Sequence, residues 1–217
     1  VLAVIPARGG SKGIVGKNYR RVCGMPLVEH SIEACILAGV RPVVSTDCPI
    51  IRDISLEAGA EVVGRPDELS GDHSPSELAV VDAINQLGYD GTYTLMVQCT
   101  SPLTQPEDIN GVEELLGLGY DSVFTASRFH GFIWESGKAV NHDEGYRPMR
   151  QDVCQYMENG AIYGFDTIDF LAYKNRFFGN IGMYEMPAER SLEIDEPWHL
   201  ILAETMINKN IHVNSGG

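Results

Sequence analysis

Three stretches of the chain carry residue types that could do chemistry together. Arg8, Gly9, Gly10, Ser11 and Lys12, with Lys17 and Asn18 shortly after, follow directly on an apolar run that ends at Pro6. Adjacent glycines let main-chain N–H groups converge on an anion, and the cations offset the charge that grows when a nucleotide phosphate is displaced. The spacing is neither G-x-x-x-x-G-K-[ST] nor G-x-G-x-x-G, so the P-loop and the dinucleotide fingerprint are both absent. On composition alone the loop reads either as a phosphate cradle or as a solvated turn with surface lysines.

The second stretch, "QCTSPL", places Gln98, Thr100 and Ser101 just beyond a strong strand pattern. Ligands of open α/β sheets sit beyond the carboxyl ends of strands, although Thr-Ser-Pro is also ordinary turn chemistry. The third stretch, "SLEIDEPWH", sets Glu193 and Asp195 two apart. On extended backbone positions i and i+2 face one side, and paired hard oxygens suit Mg²⁺ held jointly with substrate phosphates. The competing reading is a solvated acidic face, with Glu196 a helix-start carboxylate.

Other chemistries find little support. His73, His130, His142 and His199 form no H-x-x-x-H pair and have no cysteine pair beside them, so a histidine metal cluster is not expected. No G-x-S-x-G elbow is present, and Cys99 reads as packing rather than as a nucleophile.

These residues need a scaffold, and the order of elements suggests an α/β sandwich. "VLAVI" is a continuous apolar run, as expected of a strand covered on both faces. A helix from about Pro26 to Ala38 places Leu27, Ile32, Cys35 and Ile36 on one face and stops at Gly39. "RPVVSTD" and "EVVG" read as strands around a helix near Ile50 to Ala58. "SPSE" predicts a helix with Ser74 as N-cap, Pro75 at its first position and Glu77 closing a capping box. Then follow a strand "TYTLMVQ", a helix "PEDINGVEELLGLG" and a strand "DSVFTA". Periodicity fails from Arg128 to Asp152, which reads as an excursion over the active face. "YMENGAIYGF" and "MYEMP" resume as strands, "PWHLILAETMINK" closes as a helix, and Gly216 and Gly217 are expected to fray.

The 217 residues, 44% of them hydrophobic, suit one domain, read here as residues 1–217. A formal charge of −14 disfavours general adhesion to nucleic acid or to an anionic membrane, so an anionic ligand must be held by local cations. Five cysteines without a C-x-x-C pair suit free thiols in a reducing, cytoplasmic compartment. No membrane-length apolar run and no cleavable leader is expected, and a first residue Val1 rather than Met is what removal of an upstream segment would leave.

Taken in order, "IPARGGSKGI" with "KN" after it, "VSTD", "GRPDEL", "QCTSPL", "RQD", "ENGAIY" and "YEMPAERSLEID" resemble the motifs of the N-acylneuraminate cytidylyltransferases, the CMP-sialic acid synthetases, nearly end to end. The resemblance implies a Rossmann-like nucleotidyltransferase fold, a three-layer sandwich on a mainly parallel sheet, with a sugar-site and dimerisation excursion around 128–180 and a homodimer. It implies transfer of CMP from CTP to the anomeric hydroxyl of a nonulosonic acid, with Mg²⁺ and release of pyrophosphate.

By motif, Arg8, Gly9, Gly10, Ser11, Lys12 and Lys17 resemble the triphosphate cradle, with Arg8, Lys17 and Asp195 the catalytic set. Asn18, Arg65, Ser76 and Gln98 resemble the remaining CTP contacts. Gln98, Ser101, Arg150, Gln151, Asn159, Gly160 and Tyr163 resemble the sugar side, where the guanidinium of Arg150 would fork onto the sugar carboxylate. Phe177 and Phe178 of "RFF" resemble an arm reaching a partner's sugar pocket. Asp195 with Glu193 would hold the metal.

Two departures stand out. Glu193 replaces the first carboxylate of an Asp-x-Asp pattern, and Phe132 and Ile133 occupy a stretch where relatives carry a basic residue. The sister activity on 3-deoxy-manno-octulosonate and an inactive nucleotide-binding regulator are the alternatives.

Overall fold

Alternate residues of the first strand settle the layering. In β1 (Leu2–Pro6) every residue is buried. Ala3 and Ile5 belong to one hydrophobic cluster and Leu2 and Val4 to another, so the strand is covered on both faces. The computed structural model describes residues 1–11, 13–71 and 73–208, with the backbone alone at Arg150. The fraying expected at Gly216 and Gly217 therefore lies outside the described residues.

After β1 come a short ribbon, β2 (Arg21–Val22) and β3 (Met25–Pro26), then α1 (Leu27–Leu37), β4 (Arg41–Thr46), α2 (Pro49–Glu57) and β5 (Glu61–Gly64). The chain continues through α3 (Ser76–Leu87), β6 (Tyr93–Val97), α4 (Pro106–Gly117) and β7 (Ser122–Phe129). A small ribbon, β8 (Trp134–Glu135) with β9 (Lys138–Ala139), precedes β10 (Gln155–Asp166), α5 (Thr167–Tyr173), β11 (Ile181–Glu185) and α6 (Pro197–Asn208). The seven-stranded sheet runs β11-β7-β10-β6-β1-β4-β5. Only β10 is antiparallel to its neighbours, so the expected three-layer, mainly parallel sandwich is present.

Val28, Ile32 and Cys35 of α1, Ile51 of α2 and Ile109, Val112 and Leu116 of α4 cover one face. Val80, Ala83 and Ile84 of α3 with Phe170 of α5 cover the other. The chain leaves β1 towards β4 and β5, then returns to place β6 on the other flank of β1. That reversal makes the carboxyl ends of β1 and β6 a topological switch point, where this class of sheet opens a crevice.

Three local expectations need correction. Ile36 is 45% exposed, because it sits about 100° around α1 from the buried Cys35. The N-cap of α3 is Pro75 rather than Ser74, and its side chain caps nothing. The Ser74 N–H is taken by the Gly71 carbonyl at 3.1 Å, and Glu77 turns instead to Arg176, whose Nε lies 2.6 Å from Oε1. A reciprocal cap does occur on α4, where Gln105 N–H donates to Asp108 Oδ2 at 2.9 Å.

Candidate active site

The switch point holds a cleft of about 270 Å³. The loop after β1 forms one wall with Arg8, Gly10, Ser11, Lys17 and Asn18. Arg65 after β5 and Ser74 and Ser76 at the start of α3 form a second wall. Gln98, Cys99 and Thr100 after β6 complete the floor, and Glu193 closes one side. Residues far apart in the chain thus meet because parallel strands end at one edge.

The first loop is fixed from below. Asn18 is buried, its Nδ2 donates to the Arg8 carbonyl at 2.9 Å, and its Oδ1 accepts from Cys99 Sγ at 3.1 Å. Burial pushes the Cys99 thiol up to about 12, so it stays protonated and serves as that donor. Gly9 N–H donates to Asp47 Oδ1 at 2.7 Å, which commits that amide to the protein. The Arg8 guanidinium donates to the Ser70 carbonyl at 3.3 Å. Arg65 is buried and donates from Nε to the Leu69 carbonyl at 2.7 Å. Burial lowers its pKa, Asp47 opposes that shift and Arg8 adds to it.

The carboxylate side comes from the segment after β11. Ile194 is fully buried and its N–H donates to the Thr100 carbonyl at 2.8 Å, which leaves Glu193 lining the cleft and Asp195 beside Lys17. Thr100 Oγ1 donates to Glu193 Oε1 at 3.3 Å, while Lys17 Nζ lies 3.2 Å from Asp195 Oδ1. Burial raises the Glu193 pKa, and the charge of Asp195 raises it further. Glu193 and Asp195 are a hard-oxygen pair, and a divalent cation would offset the charge that raises Glu193, so the donor set fits Mg²⁺. Among the described residues no group of three or more His, Cys, Asp or Glu could hold a metal by itself. His199 acts as a local brace, its Nδ1 accepting from the N–H groups of Asp195 (3.0 Å) and Glu196 (3.1 Å).

Of the expected nucleotide residues, Arg8, Gly10, Ser11, Lys17, Asn18, Arg65, Ser76 and Gln98 line one cleft. Gly9 belongs to the same loop, and Lys12 lies outside the described residues. The expected sugar residues are more dispersed. Ser101 is buried in the turn after β6, where its carbonyl accepts from Thr104 N–H at 3.2 Å. Asn159 and Gly160 form a bulge where the pairing of β10 with β7 shifts between Glu158 and Tyr163. Gly160 has φ +71°, and a Cβ there would meet Glu193 Oε2 at 3.4 Å. The Asn159 side chain is occupied, accepting from Thr125 Oγ1 at 2.6 Å and donating to Ser191 Oγ at 3.0 Å.

Tyr163 is 2% exposed, donates its hydroxyl to Glu158 and lies with its ring 4.5 Å beneath the Arg176 guanidinium. Phe177 is 36% exposed and packs edge-on against Phe124 at 5.5 Å. Phe178 is only 6% exposed and stacks on Phe165 and Tyr173, so it is core of its own chain. Gln151 is exposed on the short helical turn Arg150–Asp152. The Arg150 side chain lies outside what is described.

Asp47 and Ser74 join the site without having been assigned to it from sequence, and Thr100, placed beyond the strand end by the sequence, lines the cleft as well. Ser74 Oγ is buried at the cleft wall with no hydrogen-bond partner among the described residues. The only signals for these residues were Asp47 at the end of "VSTD" and Thr100 inside "QCTSPL".

A doubly covered α/β sheet with a cationic cleft at its switch point, closed on one side by Glu193 with Asp195 paired to Lys17 beside it, defines a nucleotidyltransferase-type protein. The chain belongs to the cytidylyltransferase family, whose model, described as "Cytidylyltransferase", matches residues 2–215. It is 35% identical over 204 residues to "N-acylneuraminate cytidylyltransferase B" of Danio rerio, covering 89% of this chain and 48% of that protein. It is 30% identical over 230 residues to "CMP-N,N'-diacetyllegionaminic acid synthase" of Legionella pneumophila subsp. pneumophila, covering 97% of both. The chain thus spans about half the length of the vertebrate relative and nearly all of the bacterial one. Among solved structures it is similar to a CMP:2-keto-3-deoxy-manno-octonic acid synthetase complexed with CTP, with TM-score 0.76, 17% identity and coverage of 97% of this chain and 99% of that one. At that identity the likeness concerns the fold.

Proposed function

We propose that the chain transfers CMP from CTP to the anomeric hydroxyl of a nonulosonic, sialic-type acid and releases pyrophosphate. The observation that carries this reading is the meeting of Arg8, Lys17 and Arg65 with Glu193 in one cleft beyond β1 and β6. The names of the vertebrate and Legionella relatives support the sugar class.

In the proposed reaction the anomeric oxygen attacks the α-phosphorus in line with the departing pyrophosphate. One P–O bond forms, the bond to the β-phosphate oxygen breaks, and the hydroxyl proton is lost to water beside Asp195. Catalysis comes from positioning and from charge. Arg8, Ser11, Lys12 and Lys17 hold the triphosphate, while Asn18, Arg65, Ser76 and Gln98 hold the nucleoside end. The Gly9 N–H serves Asp47, so Gly9 shapes the loop rather than donating to phosphate. Glu193 and Asp195 would hold Mg²⁺, whose contribution there is to offset charge on the triphosphate.

On the sugar side Gln98, Ser101, Arg150, Gln151, Gly160 and Tyr163 are the proposed contacts, with Asn159 setting the bulge. Exposed Phe177, with Ile181 (46%) and Met183 (36%) on the edge strand β11, supports a homodimer. Five free cysteines support a reducing, cytoplasmic setting. No described helix is long and apolar enough to cross a membrane.

The test is pyrophosphate release with CTP and Mg²⁺ across N-acetylneuraminate, legionaminate, pseudaminate and 3-deoxy-manno-octulosonate, against a blank without sugar. Release with a nine-carbon acid supports the proposal. Release with the eight-carbon acid alone moves the activity to the sister enzyme, and CTP binding without any release favours a regulator.

A further inference from the structure

Residues 186–195 form a strap that carries Glu193 and Asp195 to the cleft. At its near end the strap is pinned by Ile194 N–H to the Thr100 carbonyl (2.8 Å) and by Lys17 Nζ to the Ile194 carbonyl (2.8 Å). At its middle, Asn159 Nδ2 donates to Ser191 Oγ (3.0 Å), which in turn donates to the Pro187 carbonyl (3.1 Å). The far pin is an ion pair in which Asp108 is buried and Arg190 partly so. Arg190 Nη2 lies 2.5 Å from Asp108 Oδ1, and Nη1 lies 3.0 Å from Glu107 Oε1.

Asp108 is fully buried, and its other oxygen caps α4 through Gln105 N–H. Arg190 therefore ties the strap to the helix that follows the Gln98–Thr104 turn, the same turn that Ile194 and Glu193 contact. The strap is thus tied at both ends to the segment that follows β6. Arg190 Nε is buried and has no partner among the described residues, so the guanidinium is held in this orientation although that donor is left unsatisfied there.

We propose that Arg190 is a positioning residue for the nucleotidyl transfer. By forking onto Asp108 and Glu107 it fixes the depth at which Glu193 and Asp195 enter the cleft. The inference rests on the functional reading above and concerns residues that touch neither CTP nor sugar. A lysine would keep the charge but lose the fork, because an ammonium cannot span two carboxylates in one plane.

The experiment compares wild type with Arg190→Lys, Asp108→Asn and the double variant. Asp108→Asn keeps an oxygen to cap α4, so helix start and ion pair are separated. Mn²⁺ affinity is read by electron paramagnetic resonance with CTP and no sugar, beside kcat, the KM for CTP and thermal melting. Arg190→Lys is expected to weaken Mn²⁺ binding and lower kcat by roughly 10- to 100-fold, the range for residues that orient metal ligands, with KM for CTP moving much less. The double variant should be no worse than the poorer single one, because both changes break one pair.

Unchanged Mn²⁺ affinity and kcat alongside a lowered melting temperature would reduce Arg190 to a structural role and overturn the proposal. Absence of CTP-dependent Mn²⁺ binding in the wild type would overturn it too. Failure of every sugar acid to turn over would defeat the functional reading, while the Mn²⁺ comparison would still decide the role of Arg190.

Discussion

Lys17 Nζ donates to the Ile194 carbonyl at 2.8 Å and lies 3.2 Å from Asp195 Oδ1, across 178 positions of sequence. One cation joins the loop after β1 to the carboxylate strap. The Asp195 side chain is 58% exposed, and a pair with so exposed a carboxylate adds only about 0–1 kcal/mol to stability. Lys17→Ala also removes the bond to the Ile194 carbonyl, so it should lower the melting temperature by several degrees while lowering kcat by roughly 10²–10³-fold, as loss of a charge-stabilising donor does. Melting curves and steady-state kinetics on one preparation check this, and unchanged turnover contradicts the role.

Gly9 and Gly10 should differ sharply. A Cβ on Gly9 would lie 2.8 Å from Cys48 Cβ, while one on Gly10 would meet nothing within 4 Å. Gly9→Ala must displace the loop from α2 and strain the hydrogen bond to Asp47, so it should lower both stability and CTP affinity. Gly10→Ala should keep stability within about 0.5 kcal/mol, as a substitution free of clashes does. Calorimetric CTP titration and urea melts of both variants decide it.

The two phenylalanines of "RFF" should separate stability from sugar binding. Phe178 stacks in the core, so Phe178→Ala should cost about 3–5 kcal/mol. Phe177 is 36% exposed, so Phe177→Ala should cost much less and act chiefly on the KM for the sugar acid if a second copy uses it. Urea denaturation and acid-dependent kinetics of each variant test this.

Acid stability should depend on Glu77. Burial raises the pKa of this carboxyl, but the hydrogen bond and charge of Arg176 outweigh it and the net shift is downward. A carboxyl with a lowered folded-state pKa stabilises above its unfolded value of about 4.3, and that contribution is lost as pH falls through the folded value. Urea melts from pH 7 to pH 3 should show a shallower acid limb in Glu77→Gln than in wild type. Identical limbs would contradict the assignment.

Much of the fold was legible because local pattern and tertiary burial agree. The run at Leu2–Ile5 is apolar at every position because both faces are covered, and its reading as a central strand follows from that alone. Helix α5 went unread because its seven residues show no period, although Asp166 signals it by accepting from the N–H groups of Ile168 and Asp169. At Ser74 and Glu77 a capping-box pattern was overridden by an ion pair to Arg176, 99 positions away.

The site divides in the same way. Arg8, Ser11 and Lys17 announce themselves because they cluster at a strand end, where chain order and spatial order coincide. Asp47 reaches Gly9 across 38 positions, and Arg190 reaches Asp108 across 82. Such contacts follow from sheet order, which no local window contains.

The central claim is that the CMP moiety moves from CTP onto a sugar acid. The direct measurement is incubation of the protein with CTP labelled at the α-phosphate, Mg²⁺ and a nine-carbon nonulosonic acid, followed by separation of the labelled products. The account predicts that label leaves CTP only when the acid is present and appears in a CMP-sugar conjugate, with one unlabelled pyrophosphate released per conjugate formed. Label that stays in CTP with every acid, or that appears as free CMP whether or not an acid is added, would contradict it.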